Sequence, residues 1–186
     1  MVKAWNEIIA HLKKERLFVS CELNEGATSA ELAQLEQHIG QSLPQELHAF
    51  LSEHNGQKSS AKLGIYKGRD LLSTESIRQQ WDTWRSIDES AMNDDCADFM
   101  SSDPPGAVKP MYTNRCWIPL TNDYGGNHIG LDFDPGPSGV VGQVIAYGRD
   151  TDEKRLLANS FKEFLPILVA TVQKEDWSFA DDLRGE

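Results

Sequence analysis

The sequence is poor in cysteine, in positive charge and in long apolar runs, and each shortage removes a class of function. Three cysteines, Cys21, Cys96 and Cys116, are scattered along 186 residues with no CxxC pair. Such spacing offers neither a zinc ribbon nor a redox dithiol, and it suits a reducing cytosol. Lys and Arg number 18 against 29 Asp and Glu, a formal net charge of -11. That balance argues against non-specific binding to nucleic acid or to an anionic membrane, both polyanions. It is compatible with a basic protein partner, and also with plain solubility. No apolar run is long enough to cross a bilayer. The opening stretch MVKAWNEIIAHLKKERLF is broken by charges and lacks the apolar centre of a signal peptide. A cytoplasmic location is therefore expected. No H-E-x-x-H, H-x-H, G-x-S-x-G or GK[ST] motif occurs, and there is no internal repeat.

What is present suits one globular domain over residues 1–186. Hydrophobic residues make up 39% of the chain, and a fold of this size hides roughly two thirds of its unfolded surface. Val2, Trp5, Ile8, Ile9 and Leu12 recur at helical spacing. Thr28 and Glu31 form a capping box ahead of the stripe Leu32, Leu35 and Ile39, and Gly40 is placed to end that helix. Pro44 starts a third helix carrying Leu47, Phe50 and Leu51, closed by Asn55-Gly56. Leu63 to Tyr66 reads as a short strand, and a helix from about Ser73 to Ile87 carries Ile77, Trp81 and Trp84. Residues 88–110 are acidic and rich in small residues, with a proline pair, and read as a long loop. Cys116 to Leu120 is a short extended run, with Pro119 favouring a sheet edge. Ile129, Leu131 and Phe133 alternate with Gly130, Asp132 and Asp134, the period of a half-buried strand, and Val140 to Tyr147 returns. Ser160 and Glu163 open a last helix, which Pro166 should kink or shorten. Residues 174–186 read as a loosely held acidic tail. Helices, then antiparallel strands, then a helix indicate an α+β fold.

The densest chemistry lies in LTNDYGGNHIGLDFDPGPSGVVGQVI, Leu120 to Ile145, which holds three acidic residues, six glycines and two prolines. DFDPG resembles the start of a calcium loop, but its glycine comes one residue early and Gln143 stands where a bidentate Glu belongs. Gly136, Gly139 and Gly142 have the wrong spacing for a phosphate cradle, and a strand rather than a helix follows them. A metal-dependent hydrolase would have to be built on Asp123, His128, Asp132 and Asp134. The structural reading is stronger. Asp123 and Asn127 flank Gly125-Gly126, a turn that side-chain oxygens can brace. Asp132 and Asp134 then project from one strand face, to meet water or a cationic partner.

These residues also carry a resemblance. Trp117, Pro119, Asp123, Gly126, Asn127, Asp132, Pro135, Gly139, Gly142 and Gln143 fall in step with the signature of the SUKH superfamily, in particular its Smi/Knr branch of fungal cell-wall assembly regulators. Upstream, Gly26 to Gln57 resembles the family's helical entry; downstream, LANSFKEFLPILV resembles its closing helix. The likeness runs from about residue 26 to 172. Residues 88–110 and Pro166 depart from it. The resemblance implies an α+β fold with N-terminal helices, a central, mostly antiparallel sheet and a C-terminal helix. It implies no enzyme and no cofactor. Bacterial members are proposed as immunity proteins that bind a cognate toxin, often a nuclease; fungal relatives regulate glucan synthesis through protein contacts.

The compact length favours the bacterial type, so the leading expectation is a toxin-neutralising protein. Asp123, Asn127, Asp132 and Asp134, or Asp94, Asp95 and Asp98, would meet the partner's Lys and Arg. Trp117 serves as an aromatic anchor there or, more commonly for a Trp, as core. A regulatory scaffold of cell-wall synthesis is the alternative, and a metal-dependent enzyme the third reading.

Overall fold

A computed structural model of the chain describes residues 2–88 and 91–184. Glu89 and Ser90 of the expected loop, and residues 185 and 186 of the expected tail, lie outside them. The helical entry forms as the periodicity predicts: α1 is Val2–Lys14, α2 Ser29–Ile39 and α3 Gln45–Glu53. The Thr28 hydroxyl accepts from the Glu31 amide while the Glu31 carboxylate accepts from the Thr28 amide, and Gly40 caps the far end at φ 69. Trp5 stacks on Phe50 at 4.5 Å between ring centres and donates its indole N–H to the Phe50 carbonyl, tying α1 to α3.

Leu63 to Tyr66 is not a strand. It runs into a tight turn in which Tyr66 and Arg69 bridge, and the strand comes later, as β1, Asp70–Leu71. Helix α4 is Thr74–Asp88. Gln57 fixes this region. Its amide donates to the carbonyls of Cys21 and Leu63 and accepts from the amides of Ile65 and Leu71. All four of its side-chain bonds are made to backbone groups, inside the core.

The expected loop at 88–110 carries structure. It contains α5, Met92–Cys96, a 3-10 turn at Ala97–Phe99, and β2, Ser101–Asp103. The remaining strands are β3 Trp117–Pro119, β4 Thr121–Asn122, β5 Asn127–Asp132, β6 Gln143–Gly148 and β7 Glu153–Ala158. Strands β1 and β4 form a small antiparallel pair. The others form one five-stranded sheet in the order β2-β7-β6-β5-β3. It is antiparallel except for β2, which runs parallel to β7. Pro119 does sit on an edge strand.

Both faces of this sheet are covered, which overturns the half-buried reading of β5. One face, with Ile118, Ile129, Leu131 and Val144, joins the large core shared with α1, α2, α3 and α6. The other face, with Trp117, Ile145 and Tyr147, is roofed by Trp84 of α4 and by Ala107 and Val108. The segment expected to be a free loop is thus the roof that buries the polar side of β5. Gly130 lets that layer close: a Cβ there would meet the Ile118 carbonyl oxygen at 2.3 Å and the Tyr147 ring at 3.0 Å.

Helix α6, Phe161–Lys174, runs unbroken through Pro166. The proline lies on the exposed side, where water can serve the carbonyl it leaves unpaired. The acidic tail is docked: Trp177 and Ala180 are buried, Ser20 donates to the Leu183 carbonyl, and Arg184 pairs with Glu15 at 3.2 Å.

Candidate functional site

Strand β5 separates the motif into two ends and a middle, and the structure assigns each candidate residue to one of them. At the first end, the Asp123 carboxylate accepts from the amides of Gly125 and Asn127 at 2.8 and 2.9 Å and from the Asn127 side chain at 2.9 Å. Asn127 in turn donates to Asp150 and accepts from its amide. Gly126 takes φ 89 in this turn. Burial pushes the Asp123 carboxyl up, but the bonds from Asn127 and Gly125 and the nearby Arg69 outweigh it and hold it below the usual carboxylate range. This is the side-chain brace that the turn composition predicts. Beside it, exposed Tyr124 donates its hydroxyl to buried Asp70, and that bond helps push the Tyr124 phenol up to about 12.

At the second end, Asp132 is 0% exposed. Its carboxylate accepts from the Gln143 side chain at 2.9 Å and from the Asp134 amide at 2.9 Å. Gln143 also donates to the Ala107 carbonyl and accepts from the Val140 amide. Burial raises the Asp132 carboxyl, and these bonds pull it partly back. Gly142, at φ 84, donates to the Asp132 carbonyl at 2.7 Å and turns the chain into β6. Gly139 and Pro135 pack against each other beneath Ala107. Asp134 is half-exposed but engaged, by Lys109 at 2.5 Å and Asn114 at 2.9 Å. Burial raises its carboxyl, while those two partners more than offset the effect and lower it overall. Trp117 lies opposite Asp132 across β3 and β5, is 1% exposed and is core rather than a surface anchor.

In the middle, His128 is fully buried. Its Nε2 accepts from the Trp84 indole at 2.7 Å and its Nδ1 faces the Thr121 carbonyl at 2.5 Å. An indole N–H only donates and a carbonyl only accepts, so the imidazole is the neutral tautomer with the proton on Nδ1. Burial lowers its pKa, in keeping with that state. No lone pair is left for a metal or a substrate.

The four residues of the hydrolase reading therefore do not converge. Asp123 lies before the start of a six-residue strand and Asp132 is its last residue, and about 17 Å of extended chain separates the strand's own termini. Among the described residues no three His, Cys, Asp or Glu side chains gather as metal ligands. Asp132 is also removed from any docking surface, because it is fully buried.

The other acidic group is different. Asp94, Asp95 and Asp98 are exposed on α5 and the 3-10 turn after it, and none is held by an ion pair within the described residues. Phe99 beside them is 70% exposed. Under this segment lies a residue that sequence reasoning passed over. Lys154 on β7 is 0% exposed, with its ammonium donating to the Thr151 carbonyl and lying 5.8 Å from the Tyr112 ring centre. Burial pulls its pKa down to about 8. The sequence signal was slight: a lysine between two exposed charged residues, Glu153 and Arg155, at the start of the strand EKRLLA. Among the described residues no helix is long and apolar enough to cross a membrane.

Comparison with known proteins agrees with this architecture. The chain is 33% identical over 189 residues to the cell wall biosynthesis/cell cycle regulator smi1 of Schizosaccharomyces pombe, covering 97% of this chain and 38% of that protein. It is 28% identical to a glucan synthesis regulatory protein of Neurospora crassa, covering 100% of this chain and 41% of that protein. Identity to the cell wall assembly regulator SMI1 of Saccharomyces cerevisiae is 26%, over 96% of this chain and 42% of that protein. The chain thus spans about two fifths of the length of these relatives. The pattern of the SMI1 / KNR4 family (SUKH-1) matches residues 26–166, and with the α+β fold and the motif geometry described above, the chain belongs to that family.

Proposed function

We propose that this chain is a protein-binding regulatory domain of cell-wall or glucan synthesis, acting in the cytoplasm by contact and catalysing no reaction. The observation that carries the reading is its likeness, along nearly its whole length, to fungal proteins named as regulators of the wall and of glucan synthesis. The buried motif residues support it: His128 and Asp132 each have their hydrogen-bonding capacity engaged by the fold itself. Docking falls instead to Asp94, Asp95 and Asp98 with Phe99, and to the half-exposed rim at Asp123, Asn127 and Asp134. A net charge of -11 steers such a surface toward a cationic protein and away from nucleic acid and anionic lipid. The toxin-neutralising reading keeps only this acidic surface in its favour, since the relatives' names speak of wall assembly and none of immunity.

The test is a domain exchange. The matching region of the S. pombe regulator is replaced by this chain, and resistance of the cells to wall-digesting enzymes is measured. Restored resistance supports the proposal. A chimera that is expressed and folded yet leaves the wall defect uncorrected sinks it.

A further inference from the structure

The two edges of the five-stranded sheet are finished differently. At the β3 edge, Pro119 supplies no N–H. Helix α4 lies alongside, with Trp81 donating to the Arg115 carbonyl at 2.8 Å. The chain just beyond β3 is paired as well, since the Leu120 carbonyl accepts from the Leu72 amide at 3.0 Å. That edge is closed. At the other edge, β2 pairs with β7 on one side only, and no described strand lies on its outer side. The Ser101 amide donates inward to the Asp152 carbonyl at 3.0 Å. In a parallel ladder the alternate residue then turns its N–H and C=O outward, here Ser102. Met100 before it is already extended, at φ -80 and ψ 137, so the open edge begins there and ends at Pro104. Ser101 and Asp103 are exposed and Ser102 half so.

The surroundings of this edge carry one sign. Asp94, Asp95 and Asp98 precede it, and Glu153 at the start of β7 and Asp152 just before that strand lie beside it. One exposed cation, Arg155, is shared between Asp103 at 3.4 Å and Glu153 at 3.0 Å. Lys154, the other cation of the strand, is buried and turned away from solvent. Phe99 stands exposed at the start of the edge.

From this juxtaposition we infer that the outer edge of β2, Met100 to Asp103, receives an extended cationic segment of a partner protein as an added strand, with Phe99 against its apolar side chains and Asp94, Asp95 and Asp98 against its Lys or Arg. The inference rests on the protein-binding reading above and narrows it to one edge and one partner chemistry. Backbone bonds to Ser102 give the affinity, and the alternating side chains of the incoming strand meet carboxylates on one side of the edge.

The experiment titrates the isotope-labelled full chain with a peptide of about nine residues alternating lysine and valine, followed by amide chemical shifts and hydrogen exchange. The expected result is saturable binding with shifts and protection centred on Met100 to Asp103. Methylating alternate backbone nitrogens of the peptide on the bonding side should weaken it by about tenfold or more. The D94N/D95N/D98N chain should bind several-fold more weakly, and raising the salt should weaken binding to the unchanged chain. Absence of saturable binding overturns the inference, as do shifts that leave Met100 to Asp103 unmoved. Equal binding of the methylated peptide overturns it too, since that is adsorption by charge alone. If the fission-yeast chimera restores the wall while the peptide result is negative, only the edge assignment falls. If the peptide docks on β2 while the chimera fails, the edge stands and the wall role falls.

Discussion

Asp132 and Asp98 are the same residue type in two opposite situations. Asp132 lies in the motif, fully buried, with its oxygens engaged by Gln143 and the Asp134 amide. Asp98 lies outside the motif, exposed, one residue before an exposed phenylalanine. The difference teaches that carboxylates interleaved with glycines mark where this chain holds itself together, while the closely spaced acids of 94–98, with no glycine among them, face solvent. A buried carboxylate without partners is expensive, so each motif acid comes with its donors; a surface carboxylate needs only water.

Breaking the buried side of that comparison should have the largest effect. Asp132→Ala strands the Gln143 amide and the Asp134 N–H in the interior and should lower unfolding free energy by about 3 kcal/mol in a urea titration. Asp132→Asn, which keeps an acceptor, should cost clearly less. A result within error of the unchanged chain would mean the carboxylate is not the clasp described.

A pH titration sharpens the contrast with a buried cation. The folded Lys154 pKa is about 8 against an ordinary 10.5. Between those values the unfolded chain binds more protons, so this lysine's share of stability rises with pH across that window and is flat below it. Lys154→Met removes that rise. The difference in unfolding free energy between the unchanged chain and the variant should move, in favour of the unchanged chain, by on the order of 3 kcal/mol from pH 8 to 10.5. Taking the difference cancels the slopes of Cys21 and the tyrosines.

Trp84→Phe keeps the ring packing but leaves His128 Nε2 without its donor. A loss of about 1–2 kcal/mol is expected. At the small end, D94N/D95N/D98N should shift the melting temperature by less than about 2 °C. If that triple variant melted as badly as Asp132→Ala, the distinction between clasping and contacting acids would collapse.

Much of the helical frame was legible because its signals are local. The Thr28–Glu31 box, the Gly40 cap and the Ser160 cap need only three or four neighbouring residues to be read. The Asp123 brace was legible for the same reason. Strands β2 and β7 were not: SSD has no apolar residue at all, and EKRLLA hides its inward position behind a lysine. Nor could the burial of Asp132 and His128 be seen, since it is imposed by Ala107, Val108 and Trp84, distant in sequence. An alternation of apolar and polar residues says which sides of a strand differ, and the roof over the polar side is a tertiary fact.

Gln57 has a consequence of its own. Three stretches of main chain, at Cys21, at Leu63 to Ile65 and at Leu71, converge on one amide group, so none can peel away without stranding a bond of that group. Fragments cut between the entry helices and residue 71 should not survive as autonomous pieces, and the N-terminal half should melt in a single step with the small β1–β4 ribbon.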